Sequence, residues 1–397
     1  MRKNILFCLY DMEIGGIERS LINMLEKFDY EKYHVELLIF EHKGEFMNLI
    51  PKPVNILPEI APYTVFRKPI TQCIKEGHTA TSLIRIMVKY ASFVKAKKNK
   101  LKEGSAYIQM QLAVKYSSYV LPKLKKEYDL AISYAWPHDI VANNISAHKK
   151  MAWIHTDYGS LEVDRKVDLA AWKKFDYIAS VSEECSRSFL SVYPSLNEKV
   201  RLIENITSPE FISRMSKSEQ ANVIKDSDFN LISVGRYSYV KGFDMAIKAL
   251  KILHDKGYPE IKWYVVGYGG QEEELKELII ENKLEKSFIL LGKKENPYPY
   301  IRSSDIYVQP SRYEGKAVTV TEAKILGKPI IITSYPTASS QINHNVDGMI
   351  CDMSPQGLAD AIETLYLDPQ LRATFVTHLE GQEYLNSNEL DKLYEIV

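Results

Sequence analysis

Residues 305–333 read DIYVQPSRYEGKAVTVTEAKILGKPIIIT. The run 305–309 has the apolar, β-branched character of a buried strand, and Pro310 and Ser311 follow as a turn. A helix is predicted from about Lys316. It stops at Gly327, with Pro329 soon after, the usual C-terminal punctuation. The run 329–333 is a second strand. Strand, helix, strand is the repeating unit of a parallel α/β sheet.

The same alternation runs outward through all 397 residues. Strands are predicted at 4–10, 34–40, 129–135, 150–155, 177–182 and 200–205. A second set lies at 230–235, 262–267, 287–292, 305–309, 329–333 and 348–351. Amphipathic segments such as IERSLINMLEKF and GFDMAIKALKILHDKG lie between them. Two sets of six strands, in a chain of this length, predict two Rossmann-like domains. The stretch 208–228 is polar and lacks strand character, so the domains are placed at 1–207 and 208–386. Open parallel sheets bind ligands at the carboxyl ends of their strands, and two such domains facing each other would form a deep interdomain cleft.

Composition removes several classes. Charged residues make up 26% and hydrophobic ones 45%, which is globular rather than disordered. The formal net charge is zero, so no global field argues for nucleic acid. No apolar run approaches the 18 or so residues of a membrane span. The opening MRKNILFCLYDMEIGG has too short an apolar core for a signal peptide and reads as a first buried strand. Cys8, Cys73, Cys185 and Cys351 are far apart, and neither Cys-x-x-Cys nor His-Glu-x-x-His occurs. Buried thiols in a reducing cytoplasm, and no metal site, are the expectation.

Four segments carry chemistry. In DMEIGGIERSLINML, Gly15 and Gly16 precede a helix at about Ile17, and free N–H groups at a helix start suit an anion. The plain alternative is a tight turn. In LISVGRYSYVKGFDMAIKAL, Arg236 and Lys241 bracket a strand–loop–helix corner and could grip two phosphates, or stand as solvated cations. In WYVVGYGGQEEELKELI, Gly267, Gly269 and Gly270 form a glycine-rich turn that permits close approach. In the opening stretch, Glu314 lies at a helix mouth beside the amides of Gly315, Lys316, Ala317 and Val318, and Glu322 lies inside the helix. Carboxylates accept hydroxyl donors from sugar and ribose, although acids near a helix start can also simply offset its dipole.

The zero charge hides an asymmetry: residues 1–215 carry +6 and residues 216–397 carry −6. Between Arg67 and Lys102 there are ten basic residues and one acid, Glu76. Here Leu83, Met87, Tyr90 and Val94 recur at helical spacing, followed by Lys95, Lys97, Lys98, Lys100 and Lys102. Such a helix can lie on an anionic membrane surface, or its stripe can pack on its own domain.

Taken in order, Gly-Gly after strand 1, Gly-Arg…Lys-Gly, Gly-x-Gly-Gly, and Glu314 with Glu322 resemble the retaining GT-B glycosyltransferases, in particular glycosyltransferase family 4. The resemblance covers nearly the whole chain and is strongest from 229 to 351. It implies a nucleotide-sugar donor, with uridine diphosphate the most frequent nucleotide, and no metal or other cofactor. It places Gly15 and Gly16 near the donor diphosphate and the acceptor, and gives Arg236 and Lys241 the diphosphate. Gly267, Gly269, Leu291, Gly292 and Lys293 then border the nucleobase, and Glu322 takes the ribose hydroxyls. Glu314 faces the transferred sugar, and residues 315–318 meet sugar hydroxyls and phosphate. His155, at the end of KMAWIH, matches the first-domain histidine near the reacting centre, and Asp157 is a weaker candidate for acceptor contact. The C-terminal segment 387–397 would cross back to the first domain. Family members often read Glu-Gly-Phe-Gly where this chain reads Glu314-Gly315-Lys316-Ala317, which bears on donor identity more than on reaction type.

The resemblance implies transfer of a sugar to a hydroxyl of a glycan or lipid-linked acceptor in surface-polysaccharide synthesis. The expected location is the cytoplasm, peripheral on the inner face of the membrane. A nucleotide-sugar epimerase of the same fold is one alternative. A non-enzymatic membrane-binding module would explain residues 67–102 but not the second-half motifs. A nucleotide-cofactor dehydrogenase would need G-x-G-x-x-G after strand 1, which CLYDMEIGGIE does not supply.

Overall fold

A computed structural model describes residues 2–99, 105–156, 158–217, 224, 229–384 and 386–397. The chain forms two compact units, residues 1–205 with 387–397, and residues 206–386. The first unit holds a seven-stranded sheet: β1 Lys3–Leu9, β2 Tyr33–Ile39, β3 Asn55–Ile56, β4 Glu127–Ser133, β5 Ser146–Ile154, β6 Tyr177–Ser180 and β7 Val200–Leu202. Its order is β3-β2-β1-β4-β5-β6-β7, and every pairing is parallel. The second holds β8 Phe229–Val234, β9 Ile261–Val266, β10 Phe288–Gly292, β11 Ile306–Gln309, β12 Ile330–Thr333 and β13 Met349–Cys351, in the order β10-β9-β8-β11-β12-β13. It too is parallel throughout.

All twelve predicted strands are present. The one strand the sequence does not announce is β3, two exposed residues at a sheet edge that are too short to show a period. The central strands are buried on both faces, which is why they read as continuous apolar runs rather than alternating ones. The helix Phe243–Asp255 shows what covers them. Phe243, Ala246, Ile247, Leu250 and Leu253 recur at helical spacing and are buried with Leu231, Trp263 and Val265 of the sheet.

Short side-chain caps set the helix starts. Ser182 accepts the Cys185 amide at 3.1 Å and Ser354 accepts the Gly357 amide at 3.0 Å. The polar connection begins as the helix Pro209–Met215, and residues 218–223 and 225–228 lie outside the described residues. The C-terminal helix Glu389–Tyr394 belongs to the first unit. Tyr394 stacks on Tyr33 with ring centroids 4.6 Å apart, and its hydroxyl accepts the Asp29 amide at 2.8 Å.

The helix Thr79–Asn99 turns its apolar stripe outward. Leu83 is 61% exposed, Met87 64% and Tyr90 75%, and Ile86, Phe93 and Val94 are exposed as well. Its inner side is Ser82, Arg85, Val88, Ser92 and Ala96. Val88 meets Ile108, Leu112 and Ala113 of the helix Ala106–Ser117. A stripe packed on its own domain is therefore not what this helix presents.

Leu250 sits wholly buried between helix and sheet, so Leu250→Ala is expected to cost about 2–5 kcal/mol of unfolding free energy. Lys251→Ala, one residue on and paired with Asp255 at the surface, is expected to stay within about 0.5 kcal/mol. Urea titrations of the two variants check both values.

Candidate functional site

In each sheet the strand order reverses beside the first strand, between β1 and β4 and between β8 and β11. Helices leave to opposite faces there, and the loops beyond the strand ends part to leave a crevice. In the second unit these loops are 235–242 and 310–317. They touch through backbone. A Cβ on Gly242, whose φ is +68°, would lie 2.0 Å from the Pro310 carbonyl oxygen, so only glycine fits.

Across this contact Lys241 Nζ donates to Glu314 Oε1 at 2.6 Å. Gln309 Nε2 at 2.8 Å and the Ser311 hydroxyl at 2.6 Å donate to the same oxygen. Both charged side chains are largely buried. Three donors on one oxygen hold this carboxylate in one orientation. Arg312, which the sequence reading passed over, holds the two loops together. Its guanidinium forks onto both Asp244 oxygens at 2.7 Å and onto the Tyr239 carbonyl at 2.7 Å, and stacks 4.0 Å over the Tyr239 ring. Gln309, Ser311 and Arg312 lie within five residues of Glu314. Polar residues crowded at one strand end were the available signal.

Arg236 is exposed and has no ion-pair partner among the described residues. The helix carrying Glu322 is Val318–Ile325, two residues later than predicted. The reason is Gln341, which takes the Ala317 amide at 3.2 Å and returns a bond to the Ala317 carbonyl at 3.0 Å. Of the four amides at 315–318, that of Ala317 is thus already engaged. Lys316 and Gly315 precede it in the loop, and Val318 opens the helix. Glu322 is fully buried and accepts the Tyr298 hydroxyl at 2.8 Å. Tyr298, on the helix Tyr298–Arg302, is a neighbour that no sequence spacing reveals.

At the glycine-rich turn after β9, the close approach is made by the protein itself. A Cβ on Gly267 would lie 1.8 Å from the Gly235 carbonyl oxygen, and one on Gly269 would lie 2.4 Å from that of Tyr237. Leu291 and Gly292 end β10. The Gly292 amide donates to the Tyr237 hydroxyl at 3.3 Å, and Lys293 lies 5.1 Å over the Tyr268 ring.

In the first unit, Gly15 caps and Gly16 opens the helix Gly16–Glu26 after β1. His155 follows β5, and its Nε2 donates to the Tyr134 carbonyl at 2.9 Å. Burial lowers its pKa to about 4, so it is neutral at pH 7 with Nδ1 left as an acceptor. His138, packed 4.4 Å from the Trp172 ring, is lowered to about 3, mainly by burial. Asp157, Lys100 and Lys102 lie outside the described residues. Lys95 pairs with Asp164, while Lys97 and Lys98 are exposed. All four cysteines are buried. Among the described residues no three His, Cys, Asp or Glu side chains converge as a metal site would need, and no helix is long and apolar enough to cross a membrane.

The His155 shift fixes a sign. Its unfolded pKa is about 6.5. Below that pH the unfolded chain binds a proton that the native state refuses, so its contribution is full above about pH 6.5 and declines toward pH 4. The stability of the native sequence relative to His155→Gln should therefore fall by an amount of order 1 kcal/mol between pH 7.5 and pH 5. Urea unfolding at both pH values measures it, and a constant difference would refute the assignment.

Residues 215–378 match the family model of the glycosyl transferases group 1. An uncharacterized glycosyltransferase of Methanocaldococcus jannaschii is 30% identical over 185 residues, 45% of this chain and 45% of its own length. The amylovoran biosynthesis glycosyltransferase AmsK of Erwinia amylovora is 30% identical over 202 residues, 44% of this chain and 49% of its own. The chain thus spans about half the length of these curated relatives. HepE of Anabaena, solved in complex with UDP-glucose, superposes with a TM-score of 0.70 at 19% identity, covering 99% of this chain and 100% of that one. The second domain accordingly matches the glycosyl transferases group 1, and the chain has the two-domain parallel α/β architecture of the GT-B glycosyltransferases.

Proposed function

We propose that this chain is a retaining glycosyltransferase that moves a sugar from a UDP-sugar to a hydroxyl of a glycan or lipid-linked acceptor in surface-polysaccharide synthesis. The observation that carries the reading is the Lys241–Glu314 pair at the switch point of the second sheet. The amylovoran relative and the UDP-glucose complex of HepE support the substrate class.

Departure of the nucleotide builds negative charge on the diphosphate and positive charge on the sugar. Lys241, the exposed Arg236 and the helix start at 318 supply preorganised positive potential for the leaving group. This requires no metal ion. An arriving diphosphate offers Lys241 a second anion, while Gln309 and Ser311 keep Glu314 in place. None of the three donors uses Glu314 Oε2, which is the atom for a hydroxyl of the transferred sugar. Glu322 takes the ribose, with the Tyr298 hydroxyl fixing its carboxylate. In the first unit, His155 offers Nδ1 to a hydroxyl of the acceptor. The bond from C1 to the phosphate oxygen breaks and the bond from C1 to the acceptor oxygen forms on the same face. The acceptor's proton passes to the departing phosphate oxygen.

The anchoring partner is an anionic bilayer, at the inner face of the membrane. Leu83, Ile86, Met87, Tyr90, Phe93 and Val94 form an exposed apolar stripe. From Gly77 to Lys126 the sequence has eleven basic residues and one acid, Glu103. Apolar insertion and attraction of about 1 kcal/mol per basic residue act together on such a surface.

Lys241→Ala is expected to lower transfer from a UDP-sugar at least about 100-fold. Glu322→Ala should act mainly through the donor KM. Near-normal turnover of Lys241→Ala at saturating donor, measured by release of UDP, would overturn the scheme. The protein should sediment with phosphatidylglycerol vesicles and not with phosphatidylcholine vesicles, and Leu83→Ser/Met87→Ser/Tyr90→Ser should remain in the supernatant. Equal sedimentation of the triple variant would contradict the membrane assignment.

A further inference from the structure

The first unit contains a cavity of about 290 Å³ at its own switch point. Tyr10 enters from the end of β1, Phe40 from the end of β2, and Trp136 from just beyond β4. Tyr107, Met110 and Val114 of the helix Ala106–Ser117 form the opposite wall. Phe66 and Arg67 close one side, and Glu18, on the helix opened by Gly16, closes another.

The polar atoms of Tyr10 and Trp136 are already spent on the protein. The Tyr10 hydroxyl donates to the Thr64 carbonyl at 2.9 Å and accepts the Arg67 amide at 2.9 Å. The Trp136 indole N–H donates to Asp168 at 3.2 Å. Asp168 is itself buried and also takes the hydroxyls of Tyr158 and Tyr193, the indole of Trp172 and the amide of Gln111. Trp136 is thereby fixed with its polar edge engaged. Apart from the Glu18 carboxylate and the Tyr107 hydroxyl, the cavity shows an occupant aromatic faces and aliphatic carbon. Sugar hydroxyls buried against such walls would lose their hydrogen bonds, a cost that an apolar chain escapes. One cation stands at the rim: Arg67 is half exposed, lies 4.3 Å over the Tyr10 ring and gives one nitrogen to Asp11. Its other guanidinium donors suit a phosphate. The helix that forms the wall packs, on its other side, against the helix with the exposed apolar stripe.

The geometry points to a subsite for an amphipathic acceptor in this cavity, with the first part of an apolar chain against Tyr10, Phe40, Tyr107, Met110 and Trp136 and its phosphate on Arg67. The word acceptor rests on the glycosyl-transfer reading; the binding of a phosphorylated lipid does not. At this volume the cavity holds only a short stretch of chain.

Trp136 provides the readout. Of the four tryptophans it alone is partly exposed, the other three being buried. Farnesyl phosphate, below its micelle concentration, should shift the tryptophan emission of the full chain to the blue in a saturable manner. Trp136→Phe should abolish that signal and Met110→Arg should abolish binding. Arg67→Ala should weaken binding at least tenfold, and farnesol and inorganic phosphate should each bind at least tenfold more weakly than farnesyl phosphate. Lys241→Ala should bind the probe normally. A response to maltotriose instead of farnesyl phosphate would overturn the proposal. So would no saturable response to farnesyl phosphate, or equal binding by Met110→Arg and Arg67→Ala. A UDP thermal shift run in parallel separates the two readings. Farnesyl phosphate binding without any UDP shift keeps the subsite and removes transfer from a UDP-sugar, and the reverse keeps transfer and removes the subsite.

Discussion

Three hydrogen-bond donors converge on one oxygen of Glu314, and one of them is a lysine from a different loop. That convergence is possible because β8 and β11 are parallel neighbours, so the loops that follow them emerge at the same end of the sheet. The loops must then approach closely without side chains in the way, which Gly242 against Pro310 permits. Arg312 locks the approach through Asp244 and Tyr239. The site is therefore a property of the strand order. Preorganisation of this kind is what stabilises charge that develops during a reaction, since the groups need not reorient.

The two sheets repeat one geometric device with opposite chemistry. At the second switch point the lining is charged: Lys241, Glu314 and their polar supports. At the first it is mainly aromatic and aliphatic, with Tyr10, Trp136 and Met110 around a cavity, one cation, Arg67, at the rim and one acid, Glu18, on another side. Under the proposed reading, a hydrophilic anionic donor and an amphipathic acceptor would make different demands on the two crevices. Asp168 shows the cost of building the apolar one. A buried carboxylate, its pKa raised by burial, is tolerated because five side-chain donors surround it, and one of them is the Trp136 indole.

The fold was legible because parallel strands buried on both faces leave uninterrupted apolar runs such as NLISVG, and every run of that kind became a strand. β3 escaped because a two-residue exposed edge strand has no pattern to read. Glu314 and Lys241 were legible as candidates through their places beside a strand end and a glycine. Their contact with each other was not, since 73 residues separate them and only the strand order brings the loops together. Tyr298 and Asp168 were invisible for the same reason, each acting through a partner distant in sequence, while Arg312 showed only as one of the polar residues crowded at a strand end. The glycines at 267 and 269 were read as room for a ligand, whereas the space beside them is filled by backbone carbonyls of the loop after β8. The stripe on the helix Thr79–Asn99 was visible in the sequence, but its outward direction depended on small and polar residues forming the inner face.

The most direct measurement is a crystal structure of the full chain soaked with UDP. The account requires the diphosphate within about 3 Å of Lys241 Nζ, with Glu314 still held by Gln309 and Ser311. UDP bound elsewhere, with the Lys241–Glu314 pair untouched, would contradict it.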